Sequence, residues 1–231
     1  MHILVSQELS LDEIDAAVDL GQSPADLVVL SFSDSDLSGF STAAESIGPA
    51  LPSLRLGKLS ALRHPMSVDL YVDAVIAHAK FVLVRLLGGM DYWRYGAERL
   101  SAIARERGIA LALIPGDLAA DPRLHELSTV DDETWERLRQ YCVEGGRDNL
   151  VNALKVGARH ADVDLAIETP RPLPRFGCYL RDRGACEIDA FIFSEKKPIA
   201  ALIFYRTLLH VQDMDAINAL YDGLQAQGFD V

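Results

Sequence analysis

Three continuous apolar runs, LVVLS, FVLVRLL and IALALIP, punctuate this 231-residue chain, and stretches of helical periodicity separate them. A strand with one wet face alternates apolar and polar residues; a strand covered on both faces has no need to. Continuous runs joined through helices therefore predict an α/β fold. Its form is a doubly wound, mostly parallel sheet with helices on both faces. Strands are expected at His2–Ser6, Asp26–Ser31, Phe81–Leu87 and Ile109–Ile114. A weaker one at Ser53–Leu59 alternates, as an edge strand does.

The helical stretches carry their own signals. Asp34–Ile47 repeats Leu37, Phe40, Ala44 and Ile47 at three- and four-residue spacing. Ser67–Lys80 lines Val68, Tyr71, Val72, Val75 and Ile76 along one face, with Pro65 at the entry and Asp69 and Asp73 where the helix dipole favours negative charge. Tyr95–Gly108 closes on basic residues and a glycine stop. After Asp131, Glu133–Glu144 and Arg147–His160 read as two helices parted by Gly145 and Gly146. ETPRPLPRFG is stiff and extended, a linker or a strap hugging the surface. KKPIAALIFYR reads as a strand, Asp215–Gly228 as a helix and GFDV as the start of another strand. The expected organisation is an α/β domain with a helical pair over 1–165, a proline-containing linker over 166–196, and the first β-α unit of a second, incomplete α/β domain over 197–231. The natural chain is expected to run on past Val231.

Composition excludes several classes. A formal net charge of −12 opposes a nucleic-acid partner, which needs a basic face. No apolar run approaches the ~20 residues of a membrane span, and no signal peptide precedes ILVS, so a soluble, cytoplasmic protein is expected. Cys142, Cys178 and Cys186 form no C-x-x-C pair, and no metal site is predicted. Neither a dinucleotide fingerprint nor a P-loop is present.

Ligands of doubly wound sheets sit at the carboxyl ends of the strands. Those ends carry Ser33 and Asp34, Arg85, and Asp117. Arg85 lies inside an apolar run, where a charge must be paired or solvated. It either clamps a ligand carboxylate or forms an internal salt bridge with Asp69 or Asp117. Asp91, Tyr92, Trp93, Arg94 and Tyr95 follow Gly88–Gly89. They suit a flat, carboxylate-bearing ligand or, equally, a helix start packed on its neighbours. His64, just before a helix, is a candidate metal ligand, general base or substrate contact, but it stands without a second ligand at fixed spacing. His78 and His160 fall within helical patterns. Tyr205 and Arg206 end the last strand pattern and are expected to face the remainder of the second domain.

The run HPMSVDLYVDAVIAHAKFVLVRLLGGMDYWRYG, together with VDLGQSP, LIPGD, LST, CVEGG and PIAALIFYRTLLHVQDMDAINALYDGLQAQGFDV, resembles the N-terminal region of the large subunit of aerobic cobaltochelatase. The large subunit of magnesium chelatase is a more distant relative. The resemblance implies insertion of Co2+ into hydrogenobyrinic acid a,c-diamide during cobalamin synthesis, a ligase-class reaction. ATPase-type partner subunits hydrolyse the ATP. Cobalt is then a substrate, and no cofactor is expected on this stretch, which alone is expected to be inactive. The implied partners are those ATPase subunits, the corrinoid and the remainder of the large subunit. Candidate substrate-binding residues are Arg85, Tyr92, Trp93, Arg94, His64 and Asp69; no catalytic residue is assigned. The alternatives are a non-catalytic docking module for partner subunits, a magnesium-chelatase-type subunit acting on a porphyrin, and a free-standing small-molecule-binding protein.

Overall fold

A computed structural model describes residues 16–116, 121–181, 184–186 and 196–231. In chain order its elements are β1 (Leu27–Ser31), α1 (Asp34–Ile47), β2 (Leu54–Lys58), α2 (Pro65–Ala74), β3 (Phe81–Leu86), α3 (Arg94–Arg107), β4 (Ala110–Pro115), α4 (Pro122–Leu127), α5 (Asp132–Glu144), α6 (Gly146–His160), β5 (Cys178–Leu180), β6 (Gly184–Cys186), α7 (Arg206–His210) and α8 (Asp215–Ala226). The chain divides into two compact units. One comprises Met1–Phe32 with Pro52–Asp131, the other Ser33–Leu51 with Asp132–Val231.

The first unit holds a four-stranded sheet in the order β2-β1-β3-β4, with every pair parallel. The continuous apolar runs form β1, β3 and β4, with β1 and β3 inside, and the alternating β2 is an edge of the described sheet. Both faces are buried, as those runs require. Val28, Leu30, Val82, Val84, Leu111 and Leu113 line one face; Leu27, Val29, Phe81, Leu83, Ala112 and Ile114 line the other; all are at most 1% exposed. Each of these side chains larger than alanine contributes about 1.5–3 kcal/mol of burial free energy. The first face packs with Val68, Tyr71 and Val72 of α2 and with Ala97, Leu100 and Ala104 of α3. Trp93 joins the same cluster. A side chain at Gly96 would lie 2.1 Å from its indole, so only glycine lets that ring lie against the start of α3. α3 ends at Gly108 in the left-handed conformation (φ 69°), as its sequence foretold.

Three expectations change on inspection. The helix expected over Ser67–Lys80 stops at Ala74. Val75 leaves helical geometry (φ −124°), and a 3-10 turn, Ile76–His78, follows. Val75 and Ile76 are buried β-branched residues, and the turn lowers them into the core just ahead of β3. The strand expected across KKPIAALIFYR reduces to a single parallel bridge, Ile199 to Asp230, and Arg206 opens a helix instead. Pro198 has no N–H to give a ladder, and Ile203 stands 96% exposed. The span 166–196 contains an antiparallel hairpin, β5–β6, that periodicity did not reveal. The expected strand His2–Ser6 lies outside the described residues.

The second unit packs α1, α5 and α6 together. The proline segment lies along α5 and α6 as a strap, its backbone satisfied by side chains. The Asn152 side-chain oxygen accepts from the Glu168 N–H at 2.9 Å, and Lys155 donates to the Ala166 carbonyl at 2.9 Å. The buried Tyr141 hydroxyl donates to the Glu168 carbonyl. An extended proline-rich segment has no ladder of its own, so these bonds settle its backbone polar groups. Among the described residues, no helix is long and apolar enough to cross a membrane.

Candidate functional site

The strand order reverses between β1 and β3, and this is the switch point at which open parallel sheets form a crevice. Ser31 and Arg85 are register partners there, and Ile114 stands beside Arg85 on β4. Arg85 is only 5% exposed. Its Nη2 donates to the Gly116 carbonyl at 3.5 Å. Of the two carboxylates offered by the sequence, Asp69 is engaged elsewhere. It accepts from the Tyr95 hydroxyl at 2.8 Å and from Arg99 Nε at 3.1 Å. Asp117 lies outside the described residues. Strand alternation turns Arg85 away from Val84 and Leu86, and these belong to the cluster that holds Trp93. Arg85 and Trp93 are therefore on opposite faces of the sheet and do not form one clamp.

β3 runs out into a turn built on two glycines. Gly88 (φ 85°) and Gly89 (φ 75°) hold a conformation that favours glycine. The space is also closed to side chains. One added to Gly88 would stand 2.5 Å from the Tyr92 ring, and one on Gly89 would stand 2.9 Å from the Asp121 carboxylate. The Leu86 carbonyl accepts from Gly89 N–H at 3.3 Å and from Gly116 N–H at 2.9 Å, joining the ends of β3 and β4.

Beyond this turn lies a network of two carboxylates and two guanidiniums. Arg123 forks onto Asp121 through Nε and Nη2, both at 2.9 Å, and onto Asp91 through Nη1 and Nη2, both at 3.1 Å. Arg94 donates to the same Asp91 at 2.5 Å. Asp121 also accepts from Met90 N–H at 3.0 Å and caps α4 by accepting from Arg123 N–H at 3.2 Å. Hydrogen bonding from Arg123, then from the Met90 amide, pulls the Asp121 carboxyl down to about 2. Arg123 and then Arg94 hold Asp91 below its ordinary value, and the two carboxylates raise Arg123 above its own. Charges of both signs are matched and kept ionised.

The aromatic cluster is split. Trp93 is buried and its Nε1 donates to the Leu62 carbonyl at 2.7 Å. Tyr92 is 70% exposed, close over Gly88. Arg94 is exposed beside it in sequence at the first turn of α3. His64 caps α2, its Nδ1 accepting from Met66 N–H at 3.1 Å. Tyr95 and Asp69 tie α3 to α2, and the Asp69 partner holds the Tyr95 hydroxyl above its ordinary pKa. His78 and His160 are exposed. Arg123 was not anticipated, although Asp121–Pro122 is a legible cap followed by proline at the first helical position. What this edge offers chemically is an exposed phenol ring and guanidiniums already shaped around carboxylates. Among the described residues no group of three or more His, Cys, Asp or Glu stands ready to hold a metal.

The second unit contains a cavity of about 430 Å³, lined by Phe176, Tyr179, Phe204 and Tyr221 with Arg175 and Arg206 at its wall. Arg206 donates to the Pro174 and Leu173 carbonyls at 3.0 and 3.1 Å.

Comparison with known proteins gives this architecture a setting. Residues 139–231 match the family model described as CobN/Magnesium Chelatase. The chain is 36% identical over 231 residues to the aerobic cobaltochelatase subunit CobN of Pseudomonas aeruginosa, and 35% identical over 238 to that of a Sinorhizobium species. Each alignment takes in 99% of this chain but only 18% and 19% of the relative. The chain thus spans about a fifth of the length of these relatives. A solved structure, the catalytic subunit of cobaltochelatase from Mycobacterium tuberculosis, has the same fold over 88% of this chain and 15% of its own, with a TM-score of 0.66 at 24% identity.

The class to which residues 139–231 are similar is that of the CobN/magnesium chelatase proteins. Within it, the chain resembles the large, CobN-type subunit of aerobic cobaltochelatase, as its sequence blocks implied.

Proposed function

We propose that this chain serves as part of the large subunit of a cobalt-inserting chelatase. The reaction is insertion of Co2+ into hydrogenobyrinic acid a,c-diamide, and ATPase-type partner subunits hydrolyse the ATP that drives it. The observation that carries this reading is the 35–36% identity to two CobN subunits across 99% of the chain. Cobalt is cargo here, not a resident ion. In this reading the carboxyl edge of the first unit's sheet meets the rim of the corrinoid. Tyr92 supplies a ring face. Arg94 exchanges Asp91 for a corrinoid carboxylate, a substitution that keeps a charge-assisted hydrogen bond in place. Trp93 and Arg85 are buried, His64 caps α2, and Asp69 ties α3 to α2, so in this reading these four hold the frame rather than the ligand.

The test is a titration of hydrogenobyrinic acid a,c-diamide into the full-length large subunit. Arg94→Ala is expected to weaken binding about tenfold, the loss of one charge-assisted bond, and Tyr92→Ala to weaken it too. Unchanged affinity in both variants discards this contact. Failure of the intact subunit, with its ATPase partners and ATP, to load cobalt discards the function itself.

A second reading has its own support. Phe176, Ile203 and Tyr205 of the second unit are each more than four-fifths exposed, a display that suits docking of partner subunits. Capture of the ATPase subunits that Ile203→Asp abolishes, with corrinoid affinity intact, favours docking as the main role.

A further inference from the structure

The hairpin of the second unit sets two cysteines directly across from each other. β5 and β6 pair antiparallel, and Cys178 is the register partner of Cys186. Opposed residues of an antiparallel pair project to the same face, with Cα atoms about 4.5–5.5 Å apart. A disulfide spans Cα separations of about 4.4–6.8 Å, so the backbone is already within reach of a bridge. Both cysteines are thiols and both are partly exposed, whereas the third, Cys142, is buried on α5. Cys178 lines the 430 Å³ cavity together with Tyr179 and Ala185 of the same hairpin. Their spacing in sequence matches no redox or metal motif, and it is the hairpin register that makes them a pair.

We propose that Cys178 and Cys186 form a reversible dithiol–disulfide pair, oxidised by exchange with a low-molecular-weight disulfide, and that the bond stiffens the hairpin wall of the cavity. The thiolate of Cys178 attacks one sulfur of the small disulfide, forms a mixed disulfide and expels one small thiolate. The thiolate of Cys186 then attacks Cys178 Sγ, closes the Cys178–Cys186 bond and expels the second small thiolate. Two electrons pass from the cysteine pair to the oxidant, and the two thiol protons end on the released thiols. A dithiol reductant reverses both steps. The proposal is independent of the corrinoid reading, since it concerns only the hairpin and its cavity.

The test is equilibration of the full chain with mixtures of reduced and oxidised glutathione, followed by acid quenching and peptide mapping. The expected product is an intramolecular Cys178–Cys186 link, lighter by two hydrogens than the dithiol and reversed by dithiothreitol. Cys142→Ser should behave as the wild type, and Cys186→Ser should stop at a glutathione adduct on Cys178. Hydrogen exchange of the β5 and β6 amides should slow at least severalfold on oxidation. A wild-type chain that only accumulates glutathione adducts, or that links through Cys142 or between chains, overturns the pair. Unaltered hairpin exchange in the linked protein overturns the coupling to the cavity wall.

Discussion

Asn149 binds both backbone groups of Arg171. Its side-chain oxygen accepts from the Arg171 N–H at 3.0 Å, and its amide donates to the Arg171 carbonyl at 2.8 Å. The same amide also donates at 2.7 Å to the carbonyl of Gly145, the residue that leads into its own helix. One buried side chain thus imitates a strand for the strap and closes the start of α6.

Replacing Asn149 by Leu should cost about 2–3 kcal/mol, since burial leaves the Arg171 groups without that partner. Urea unfolding measures the loss. Tryptic cleavage after Arg175 should accelerate in the same variant, because the strap has lost its central tie. A variant as stable as the wild type, and as resistant to trypsin, would show that the strap is held by its other bonds alone.

Asp121 makes stability depend on acid in a predictable direction. Its folded pKa, about 2, lies below the ordinary carboxyl value of 3.8, so the folded state favours the ionised form. The resulting stabilisation is complete above the ordinary value and fades as pH falls from about 4 through about 2. Asp121→Asn should be less stable than the wild type at neutral pH, with the difference narrowing across that window. A constant difference from pH 6 down to 2 would show that Arg123 does not lower this carboxyl. Moderate salt should trim the effect, since Arg123 and Asp91 are partly exposed.

His64 caps a helix, and a cap can be replaced by another cap. His64→Ala should lower stability by about 0.5–1 kcal/mol, whereas His64→Asp or His64→Ser should restore most of it. A corrinoid titration of the same three variants separates the roles. Affinity that follows the cap marks a framing residue, and affinity lost in all three marks a direct ligand contact.

Much of the fold was legible. The runs at 27–31, 81–86 and 110–115 became parallel strands because only burial on both faces tolerates such continuous apolarity. The glycine stop at Gly108 and the paired glycines 145 and 146 punctuate helices where the residue types require. Less of the candidate site could be read. FVLVRLL announced a charge in the core but not its partner, because that partner comes from a distant part of the chain. DYWRY announced aromatics but not which of them would be buried. Trp93 went inward because Gly96 leaves room for its indole and the Leu62 carbonyl accepts its N–H. IAALIFYR has the composition of a strand, yet composition supplies no neighbour, and a strand exists only in a ladder.

Much of the local chemistry, then, was settled by the order of residues alone: the three continuous apolar strands, most of the helices, the glycine stop of α3, and which family the blocks resemble. Pairing across distance was decided by the folded body. The fork of Arg123 between Asp121 and Asp91, the separation of Arg85 from Trp93 by a sheet, and the meeting of Cys178 with Cys186 all depend on register and face. Register and face are fixed only when hydrophobic burial has chosen one packing of the whole chain over its alternatives.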